Sequence, residues 1–255
     1  MSTLPLAGRV ALVTGVSRPT GIAVVVAKRL AAMGATVAAT GWPSHDAEMP
    51  WGTQDLGELP FEVGHHDLEH PAAPHELIDE TVERHGRLDT VVAVHARSSH
   101  HSVATVDAVE LDRCWAANVR SIVLLAQRFA AVHEPAPPGE PPTGRMLWFT
   151  SGQNEGPMDG EIAYGVTKGA LHQMTRSIDH ALAASRIVVN CINPGPVDTG
   201  WADAETAAFV ADRFPDRRWG TPDDVSNLVA FLVSDEGAWI RGQVINSEGG
   251  FSRFG

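Results

Sequence analysis

Cysteine is nearly absent from this sequence of 255 residues. Cys114 and Cys191 are the only two, and so small a number excludes both a disulfide framework and a zinc site built from four cysteines. No stretch approaches the roughly eighteen consecutive apolar residues that a membrane-spanning helix requires. The opening residues, MSTLPLAGRV, also lack the basic and then apolar pattern of a secretory signal. These absences predict a cytoplasmic protein with reduced thiols and no membrane span.

Basic runs are also missing, and the formal net charge is −12. An acidic chain without a basic run is unsuited to nucleic acid or to an anionic membrane surface, so neither is an expected partner. Histidine is plentiful, and four histidines stand close together: His65, His66, His70 and His75. They span a predicted strand end and a turn instead of following the fixed spacing of metal ligands. We predict that they are solvated surface histidines and that the protein binds no metal.

Apolar segments of strand length alternate with segments of helical character along the chain. This alternation in a chain of one-domain length predicts an α/β fold of the Rossmann type, a doubly wound parallel sheet in a single domain over residues 1–255. Such sheets bind ligands at the carboxyl ends of their strands. The predicted strands are residues 9–14, 35–40, 61–66, 88–95, 145–150, 186–192 and 242–247, and the predicted helices are residues 21–33, 72–85, 106–132, 163–184 and 222–234. Residues 42–60 are expected to form a loop, and the proline-rich residues 134–142 a stiff surface loop.

A glycine-containing segment, TGVSRPTGIA, follows the first predicted strand and opens a helix at residues 14–23. Gly15 and Gly21 would let the backbone approach a pyrophosphate, and the N-terminus of the helix would favour its negative charge. The alternative is an ordinary strand-to-helix turn. The position of the segment after the first strand favours the nucleotide site.

Tyrosine occurs once in the chain, and lysine occurs twice among nineteen basic residues. Tyr164 and Lys168 are four residues apart, so on a helix they share one face. A neighbouring ammonium favours the phenolate, and we expect Lys168 to lower the pKa of Tyr164 from its ordinary value of about 10. Such a tyrosine can exchange a proton with a substrate oxygen near neutral pH. The alternative is an exposed pair of no catalytic significance.

Together these segments resemble the short-chain dehydrogenase/reductase family over nearly the whole chain. The glycine segment is similar to the family's Thr-Gly-x-x-x-Gly-x-Gly, with one extra residue and with Ala23 in place of the third glycine. Its spacing also resembles the variant of enoyl-thioester reductases in the same superfamily, so this motif alone does not settle the subfamily. Ser151 precedes Tyr164 by thirteen residues, as the family's catalytic serine does. Residues 193–199, NPGPVDT, resemble the family's Pro-Gly-x-x-x-Thr segment. Residues 46–52, DAEMPWG, and residues 151–157, SGQNEGP, further resemble a bacterial branch often described as 3-oxoacyl-carrier-protein reductase-like.

The resemblance implies reversible hydride transfer between NAD(P)H and a ketone or secondary alcohol, with catalytic residues Asn118, Ser151, Tyr164 and Lys168. Ser151 would hydrogen-bond the carbonyl oxygen as negative charge develops there. Asn118 would hold a water linked to the lysine, unless it is a helix-surface amide. Asp67 would bond the adenine amino group, unless it is an ordinary capping or loop aspartate. Val197 would bind the nicotinamide carboxamide through its backbone and Thr199 through its hydroxyl, although a simple turn also explains this segment.

The choice of cofactor depends on the end of the second strand, where NAD-preferring enzymes usually place an acidic residue. Gly41 and Trp42 stand there, so no acid would repel a 2′-phosphate, and Arg18 could pair with one. We therefore favour NADP(H) over NAD(H). The residues expected to bind the cofactor are Gly15, Ser17, Arg18, Gly21, Ile22, Trp42, Asp67, Leu68, Tyr164, Lys168, Pro194, Val197 and Thr199.

The chain departs from the family after the fourth predicted strand, where AVHA at residues 93–96 replaces the usual Asn-Asn-Ala-Gly. The asparagines normally brace the central sheet. Their loss either loosens or reshapes the site, or brings His95 or Arg97 to the ligand, and the sequence does not choose between these outcomes. It also leaves open a catalytically silent NADP(H)-binding sensor.

Two other activities on this scaffold fit the sequence less well. Enoyl reductases usually place six residues between their tyrosine and lysine, whereas three intervene here. A halohydrin dehalogenase would carry arginine in place of Lys168 and would lack a dinucleotide site. Carbonyl chemistry is therefore favoured.

Substrate selection is expected to lie in residues 200–218. A short mobile helix there would cover the pocket, with Trp201 and Phe209 as an apolar cover. The acidic residues of this segment, and the lack of a basic docking patch for a phosphopantetheine-linked acyl chain, favour a small or medium uncharged ketone over a 3-oxoacyl thioester. The resemblance also implies a homotetramer.

Overall fold

The computed structural model of the protein describes residues 4–49, 51–200 and 202–253. Its centre is a parallel sheet of seven strands in the order β3-β2-β1-β4-β5-β6-β7. The strands are β1 (Val10–Thr14), β2 (Thr36–Gly41), β3 (Val63–His65), β4 (Thr90–Ala93), β5 (Gly144–Phe149), β6 (Ile187–Asn193) and β7 (Val244–Asn246). The predicted Rossmann-type fold class is therefore confirmed.

Helices cover both faces of the sheet. They are α1 (Ile22–Ala32), α2 (Pro43–Glu48), α3 (Ala73–His85), α4 (Ala108–Trp115), α5 (Ser121–Val132), α6 (Ile162–Ala181), α7 (Ala204–Ala211) and α8 (Pro222–Val233). Apolar side chains of α1 and α8 form one core against the sheet, and those of α3, α5 and α6 form the other. Because the inner strands are covered on both faces, their residues are buried without alternation, as in VALVT of β1.

The switch in strand order lies between β1 and β4, which pair directly. From this line β2 and β3 extend to one side, and β5, β6 and β7 extend to the other. Crossovers of opposite direction leave a crevice at the carboxyl ends of the strands at such a point. The loops after β1, β2, β4, β5 and β6 all reach this edge, and they carry many of the predicted site residues. Asn118, Tyr164 and Lys168 lie instead on helical segments, and Asp67 and Leu68 follow β3.

The predicted helix over residues 106–132 is interrupted. It begins at Ala108, where the side chain of Asp107 accepts a hydrogen bond from the Glu110 N–H at 2.8 Å. A π-helical turn, Ala116–Arg120, then separates α4 from α5. Such turns are rare in proteins, and those that occur are frequently found at functional sites. The hydrophobic pattern could not reveal this turn because the buried face continues through it.

The predicted loop over residues 42–60 contains the short helix α2. Pro43 stands in its first turn, where the missing N–H costs nothing. Two polar residues of α2, His45 and Asp46, are buried. Residues 134–142 form no helix or strand and are mostly exposed, as a surface loop should be.

The prediction of solvated histidines is wrong for His66. Its Nδ1 lies 2.9 Å from Thr40 Oγ1, and its Nε2 lies 3.2 Å from the Glu80 carboxylate. His65 and His70 are exposed. Within the described ranges, no group of three or more histidine, cysteine or acidic side chains is arranged to hold a metal ion. No helix among the same residues has the length and apolar character to cross a membrane.

Candidate active site

Tyr164 and Lys168 lie one turn apart on α6, close to its N-terminus. The Lys168 side chain is buried, and its Nζ donates a hydrogen bond to the Phe149 carbonyl at 2.8 Å. The same nitrogen lies 5.3 Å from the centroid of the Tyr164 ring. The structure thus brings the only tyrosine and one of the two lysines together at the end of β5.

Burial governs the acid–base properties of this pair. It raises the pKa of Tyr164 to about 12, and a hydrogen bond with Ser151 opposes part of this rise. It also lowers the pKa of Lys168 to about 8. The expected lowering of the tyrosine pKa is therefore wrong, because Lys168 bonds a backbone carbonyl and desolvation outweighs its charge. Tyr164 is a neutral phenol at neutral pH and carries a proton that it can donate.

Ser151 follows β5 in extended backbone, with φ −142°. Its N–H donates to Gln153 Oε1 at 3.1 Å, and its hydroxyl hydrogen-bonds Tyr164. The neighbouring Thr150 turns to the other side, where its hydroxyl donates to the Lys168 carbonyl at 2.8 Å. The structure thus aims one hydroxyl of the pair at Tyr164 and uses the other to fix α6.

Asn118 is buried in the π-helical turn and is not a surface amide. Its Oδ1 accepts a hydrogen bond from the Arg97 N–H at 2.6 Å. Its Nδ2 donates to the Arg97 carbonyl and to Thr167 Oγ1, each at 3.0 Å. Both amide N–H groups are therefore used by the protein. Any water linked to Lys168 has to bind a carbonyl oxygen of this residue.

The glycine segment packs tightly at the crevice. Gly15 has φ +82°, and a Cβ there would lie 2.7 Å from the backbone nitrogen of His95. A Cβ on Gly41 would lie 2.3 Å from the Val16 carbonyl oxygen. Any side chain at Gly41, acidic or not, is therefore excluded by packing. The lack of an acid at this position has a structural cause and is weak support for a 2′-phosphate.

Arg18 closes over the crevice from the glycine segment. Its guanidinium lies 4.8 Å from the Trp51 ring centroid and donates to the Thr199 carbonyl at 2.5 Å. The hydroxyl of Thr20 donates to the same oxygen at 2.8 Å. Burial lowers the pKa of Arg18, and nearby Asp46 acts in the opposite direction. The role of Trp51 was not predicted from the sequence, because the resemblance of residues 46–52 to a bacterial branch assigns no function to this side chain.

Ser17 joins the loops after β1 and β2, because its Oγ accepts a hydrogen bond from the Trp42 N–H at 3.2 Å. Gly21 caps α1, and Ile22 begins that helix. A small crevice lies beside them, and its lining is Gly15, Thr40, Gly41, Trp42, His66, Leu68, His95, Ala96 and Ala117. Three predicted cofactor residues, Gly15, Trp42 and Leu68, are among them.

Asp67 does not line this crevice. It is exposed, and its Oδ1 accepts a hydrogen bond from the Glu69 N–H at 2.8 Å. This is the arrangement of an ordinary loop aspartate. The buried Leu68 and the partly buried His66 face the crevice in its place.

The loop after β6 carries Pro194, Val197 and Thr199. Val197 is buried and pairs with Gly220 in a parallel bridge. The carbonyl of Thr199 is held by Arg18 and Thr20 from the opposite wall of the crevice. These three predicted cofactor residues therefore lie on a fixed loop that faces the glycine segment.

The altered loop after β4 braces the structure. His95 Nδ1 lies 2.5 Å from Thr14 Oγ1, and its Nε2 lies 2.9 Å from Ser121 Oγ and 3.1 Å from the Ala117 carbonyl. Burial lowers the pKa of His95 to about 3, so the ring is neutral. With Nε2 protonated, the ring donates towards α5 and accepts from β1. A side chain foreign to the family motif thus joins the sheet to the π-helical turn.

Arg97 acts in the same region through charge. Its side chain is 7% exposed and pairs with Glu110 at 3.0 Å, with Glu69 at 3.5 Å and with Glu48 at 3.6 Å. Its backbone is held at both ends by Asn118. Arg97 and His95 are therefore engaged by the protein, and a loosened site is not what the structure shows.

The predicted substrate loop is described only in part, because Trp201 lies outside the described residues. The predicted short helix is α7, capped by the Asp203 side chain, which accepts from the Thr206 N–H at 2.8 Å. Phe209 on this helix is 59% exposed, and the Arg213 guanidinium lies 4.5 Å from its ring centroid. Phe209 therefore does not form an enclosed apolar cover in this arrangement.

These residues fit a dinucleotide. The missing side chain of Gly15 lets the His95 backbone pack against the glycine segment, and the N-terminus of α1 that follows this segment favours a pyrophosphate. Arg18 Nε is buried without a hydrogen-bond partner. Trp42 and Leu68 give the crevice apolar walls. The geometry alone therefore supports a nucleotide site between the glycine segment and the catalytic side chains.

Comparisons with known proteins agree. The chain matches a family model described as enoyl-(acyl carrier protein) reductase over residues 15–252. It is 36% identical over 247 residues to the uncharacterized oxidoreductase YjdA of Bacillus subtilis, and the match covers 96% of this chain and 97% of that one.

Two solved structures extend the comparison. A short-chain dehydrogenase from Burkholderia cenocepacia in complex with NADP is 30% identical, with a TM-score of 0.80 and coverage of 96% of this chain and 98% of that one. The promiscuous reductase LugOII, which catalyses keto-reduction at C1 during lugdunomycin biosynthesis, is 31% identical, with a TM-score of 0.81 and the same coverage. This chain is therefore a member of the short-chain dehydrogenase/reductase family and an NAD(P)-dependent oxidoreductase.

Proposed function

We propose that the protein catalyses reversible hydride transfer between NADP(H) and a small or medium uncharged ketone or the corresponding secondary alcohol. The observation that carries this proposal is the contact of Ser151, Tyr164 and Lys168 at the carboxyl end of β5. The keto-reduction catalysed by LugOII, a structural relative, supports the same reaction type.

NAD(P)H, when bound, supplies the hydride at the carbonyl carbon. The Ser151 hydroxyl hydrogen-bonds the substrate oxygen and stabilises the negative charge that develops there. Tyr164, a neutral phenol because burial raises its pKa to about 12, donates its proton to that oxygen. Lys168 is cationic at neutral pH, since its pKa of about 8 still lies above 7, and it stabilises the phenolate that remains. In the alcohol-oxidising direction Tyr164 takes the proton back.

The preference for NADP(H) rests on Arg18, the cation that the glycine segment places beside the crevice, between Trp51 and the Thr199 carbonyl. Its Nε is buried without a protein partner, so the side chain would have to turn outward before a 2′-phosphate could accept a hydrogen bond from it. The Burkholderia cenocepacia relative with bound NADP supports this choice. Asp46 opposes a preference for NADP(H), because its carboxylate already interacts electrostatically with Arg18 and would repel a 2′-phosphate. Its Oδ2 is buried without a hydrogen-bond partner. Kinetic constants for both cofactors decide the question.

Reduction of an enoyl thioester is the second candidate, favoured by the description of the matching family model. The three residues between Tyr164 and Lys168 favour carbonyl chemistry instead. The remaining candidates are reduction of a 3-oxoacyl thioester and a catalytically silent NADP(H)-binding sensor. The complete set of serine, tyrosine and lysine argues against the sensor.

The first test is oxidation of NADPH and NADH by the purified protein with simple ketones, 3-oxoacyl thioesters and enoyl thioesters. We expect turnover with uncharged ketones, a higher kcat/KM with NADPH, and a loss of at least about a hundredfold in kcat for Tyr164→Phe, because general-acid catalysis contributes this much. Cofactor binding, followed by fluorescence of the nicotinamide, should persist in the variant.

Each part of the proposal has its own contrary result. Preferential turnover of enoyl thioesters would replace carbonyl reduction by enoyl reduction. Binding of NADPH without turnover of any substrate would favour the sensor. Equal activity of Tyr164→Phe would remove Tyr164 from the mechanism.

We further propose a cytoplasmic homotetramer. Large apolar side chains on α4, α5 and α6 support an assembly, since Trp115, Val123 and Val166 are 48%, 40% and 54% exposed. Trp239, between α8 and β7, is 95% exposed. Light scattering of the purified protein measures the mass directly. The two free cysteines, both buried, are consistent with a reducing compartment.

A further inference from the structure

The end of the chain returns over the active site. After β7, residues 247–253 turn at Gly249 and Gly250, whose φ values are +58° and +77°. We call these residues the C-terminal strap. The sequence motifs assign no role to them beyond the last glycines, yet they contact the loops after β5 and β6 and the substrate loop.

Arg253 in the strap lies directly on the turn that carries Ser151. A Cβ on Gly152, the next residue, would lie 1.8 Å from Arg253 Nη2 and 2.6 Å from its Cζ. The guanidinium therefore occupies the space that a side chain at position 152 would fill. Because interiors are close-packed, the position of the Ser151 turn depends on that guanidinium.

Glu248 fixes the guanidinium from the other side. Its carboxylate pairs with Arg253 through two contacts, Oε1 to Nη2 at 2.5 Å and Oε2 to Nη1 at 3.1 Å. The side chain of Arg253 is only 17% exposed, and that of Glu248 is only 12% exposed. A bidentate pair with this geometry is stronger than an ordinary surface ion pair and also fixes orientation.

The stem of Glu248 packs on Gly195, in the loop that carries Pro194 and Val197. Gly195 has φ +63°, and a Cβ there would lie 2.9 Å from the Glu248 Cβ. The ion pair thus bridges the Ser151 turn and the predicted nicotinamide loop.

A second bridge joins the same two loops just before the strap. Asn246 accepts a hydrogen bond from Asn193 Nδ2 at 3.1 Å and donates to Glu155 Oε1 at 2.9 Å. Glu155 lies four residues after Ser151, and Asn193 immediately precedes Pro194. The Glu248–Arg253 ion pair and Asn246 therefore both fix the loop after β5 relative to the loop after β6.

The strap is also attached to the substrate loop. The Ser252 N–H donates to the Arg213 carbonyl at 3.0 Å, and Arg213 Nη1 donates to the Arg253 carbonyl at 3.1 Å. The rings of Phe214 and Phe251 lie 5.1 Å apart. Any movement of the segment after α7 is therefore transmitted to Arg253.

We propose that Arg253, held by Glu248, is a positioning residue for Ser151. It sets the distance between the Ser151 hydroxyl and a substrate oxygen, and it couples that distance to the substrate loop. This role rests on the proposed function. It does not require Arg253 to touch the substrate. Small misplacements of a group that stabilises the transition state lower kcat more than they raise KM.

The test compares Arg253→Ala, Arg253→Lys and Glu248→Gln with the wild-type enzyme on the best ketone found. We expect kcat to fall about tenfold or more in Arg253→Ala, with a change in KM of less than about threefold, because a misplaced Ser151 weakens only the transition state. Arg253→Lys should recover part of the loss, and Glu248→Gln should resemble Arg253→Ala. The control is Arg84→Ala, which removes an exposed arginine that is also ion-paired to a glutamate.

Hydrogen–deuterium exchange separates this proposal from the proposed function. Peptides covering residues 150–156 should exchange faster in Arg253→Ala than in the wild type and in Arg84→Ala. The urea unfolding midpoints of the three proteins should be equal, so that the faster exchange reports a local change. This comparison can be made even if no substrate is turned over. Wild-type exchange in Arg253→Ala would overturn the proposal. A wild-type kcat, or an equal loss in the control, would also overturn it.

Discussion

Lys168→Met removes an ammonium that the fold keeps away from water, and its effect on stability should depend on pH. The side chain is buried, and burial lowers its pKa from 10.5 to about 8. This shift corresponds to a penalty of about 3 kcal/mol at pH 7. Between the two pKa values the unfolded chain binds more protons than the folded protein. Stability therefore rises with pH from about 8 to 10.5, and the penalty is complete below that window.

The measurement is urea unfolding of the wild type and of Lys168→Met at pH 7 and pH 9. The free energy of unfolding of the wild type, relative to the variant, should be about 1 kcal/mol higher at pH 9 than at pH 7. Loss of the hydrogen bond from Lys168 Nζ to the Phe149 carbonyl displaces the two curves by a constant, which does not affect this difference. The control is Lys28→Met at the other lysine of the chain, which is exposed. Its curve should stay parallel to that of the wild type.

The variant also isolates Lys168 from other groups that titrate at high pH. Burial raises the pKa of Tyr164, Cys114 and Cys191 to about 12, and these groups lower stability as pH rises. All three remain in Lys168→Met. Loss of the Lys168 charge would raise the pKa of Cys191 further, but the folded thiol stays protonated at pH 9 in both proteins, so these contributions cancel in the comparison. If the wild type and Lys168→Met differ in free energy of unfolding by the same amount at pH 7 and at pH 9, the desolvation of Lys168 is refuted. It would also remove the reason for expecting a cation of reduced pKa beside Tyr164.

Two further predictions concern the crevice. Gly41→Ala should lose roughly 1–3 kcal/mol of stability, because its Cβ would lie 2.3 Å from the Val16 carbonyl oxygen. Urea unfolding beside Gly160→Ala, where a Cβ meets nothing within 4 Å, measures this, and equal midpoints would contradict it. Between pH 7 and pH 5, the free energy of unfolding should fall by about 2 kcal/mol less in His95→Asn than in the wild type. The reason is that the pKa of His95 is about 3 in the folded protein, below its unfolded value, so the wild type loses stability as pH falls between these two values. Identical pH profiles of the free energy of unfolding would contradict it.

The fold was predictable because the inner strands of the sheet are short and apolar. VALVT of β1 and TVVA of β4 are buried along their full length, as expected for parallel strands covered on both faces. The π-helical turn at Ala116–Arg120 was not predictable, since it changes the hydrogen-bond pattern without changing the buried face. Helix α2 was missed because its buried residues, His45 and Asp46, are polar.

The candidate site was predictable where rarity and spacing coincide. Tyr164, the only tyrosine, stands four residues before Lys168 and thirteen after Ser151, and the structure brings these three together. The direction of the tyrosine pKa was not predictable, because it depends on burial and on the carbonyl that takes up Lys168 Nζ. Trp51 and Arg253 were missed for a related reason. Both reach the site from loops whose paths no local pattern specifies.

The loop after β4 shows how the site can persist without the asparagines usual in the family. An asparagine braces neighbouring strands with neutral amide hydrogen bonds, which need short and fixed distances. His95 links Thr14 on β1 to Ser121 on α5 with one donor and one acceptor. Arg97 adds ion pairs with Glu69 and Glu110, and its backbone holds the amide of Asn118.

The altered segment therefore relies on a neutral histidine, and Arg97, just after it, adds a buried cation. Removing one partner of a buried ion pair costs several kcal/mol, whereas the intact pair contributes little net stability. The two residues thus specify where the loop lies more than they stabilise the fold. Because Asn118 and the backbone of Gly15 both depend on that position, the altered loop serves the cofactor crevice by positioning its walls.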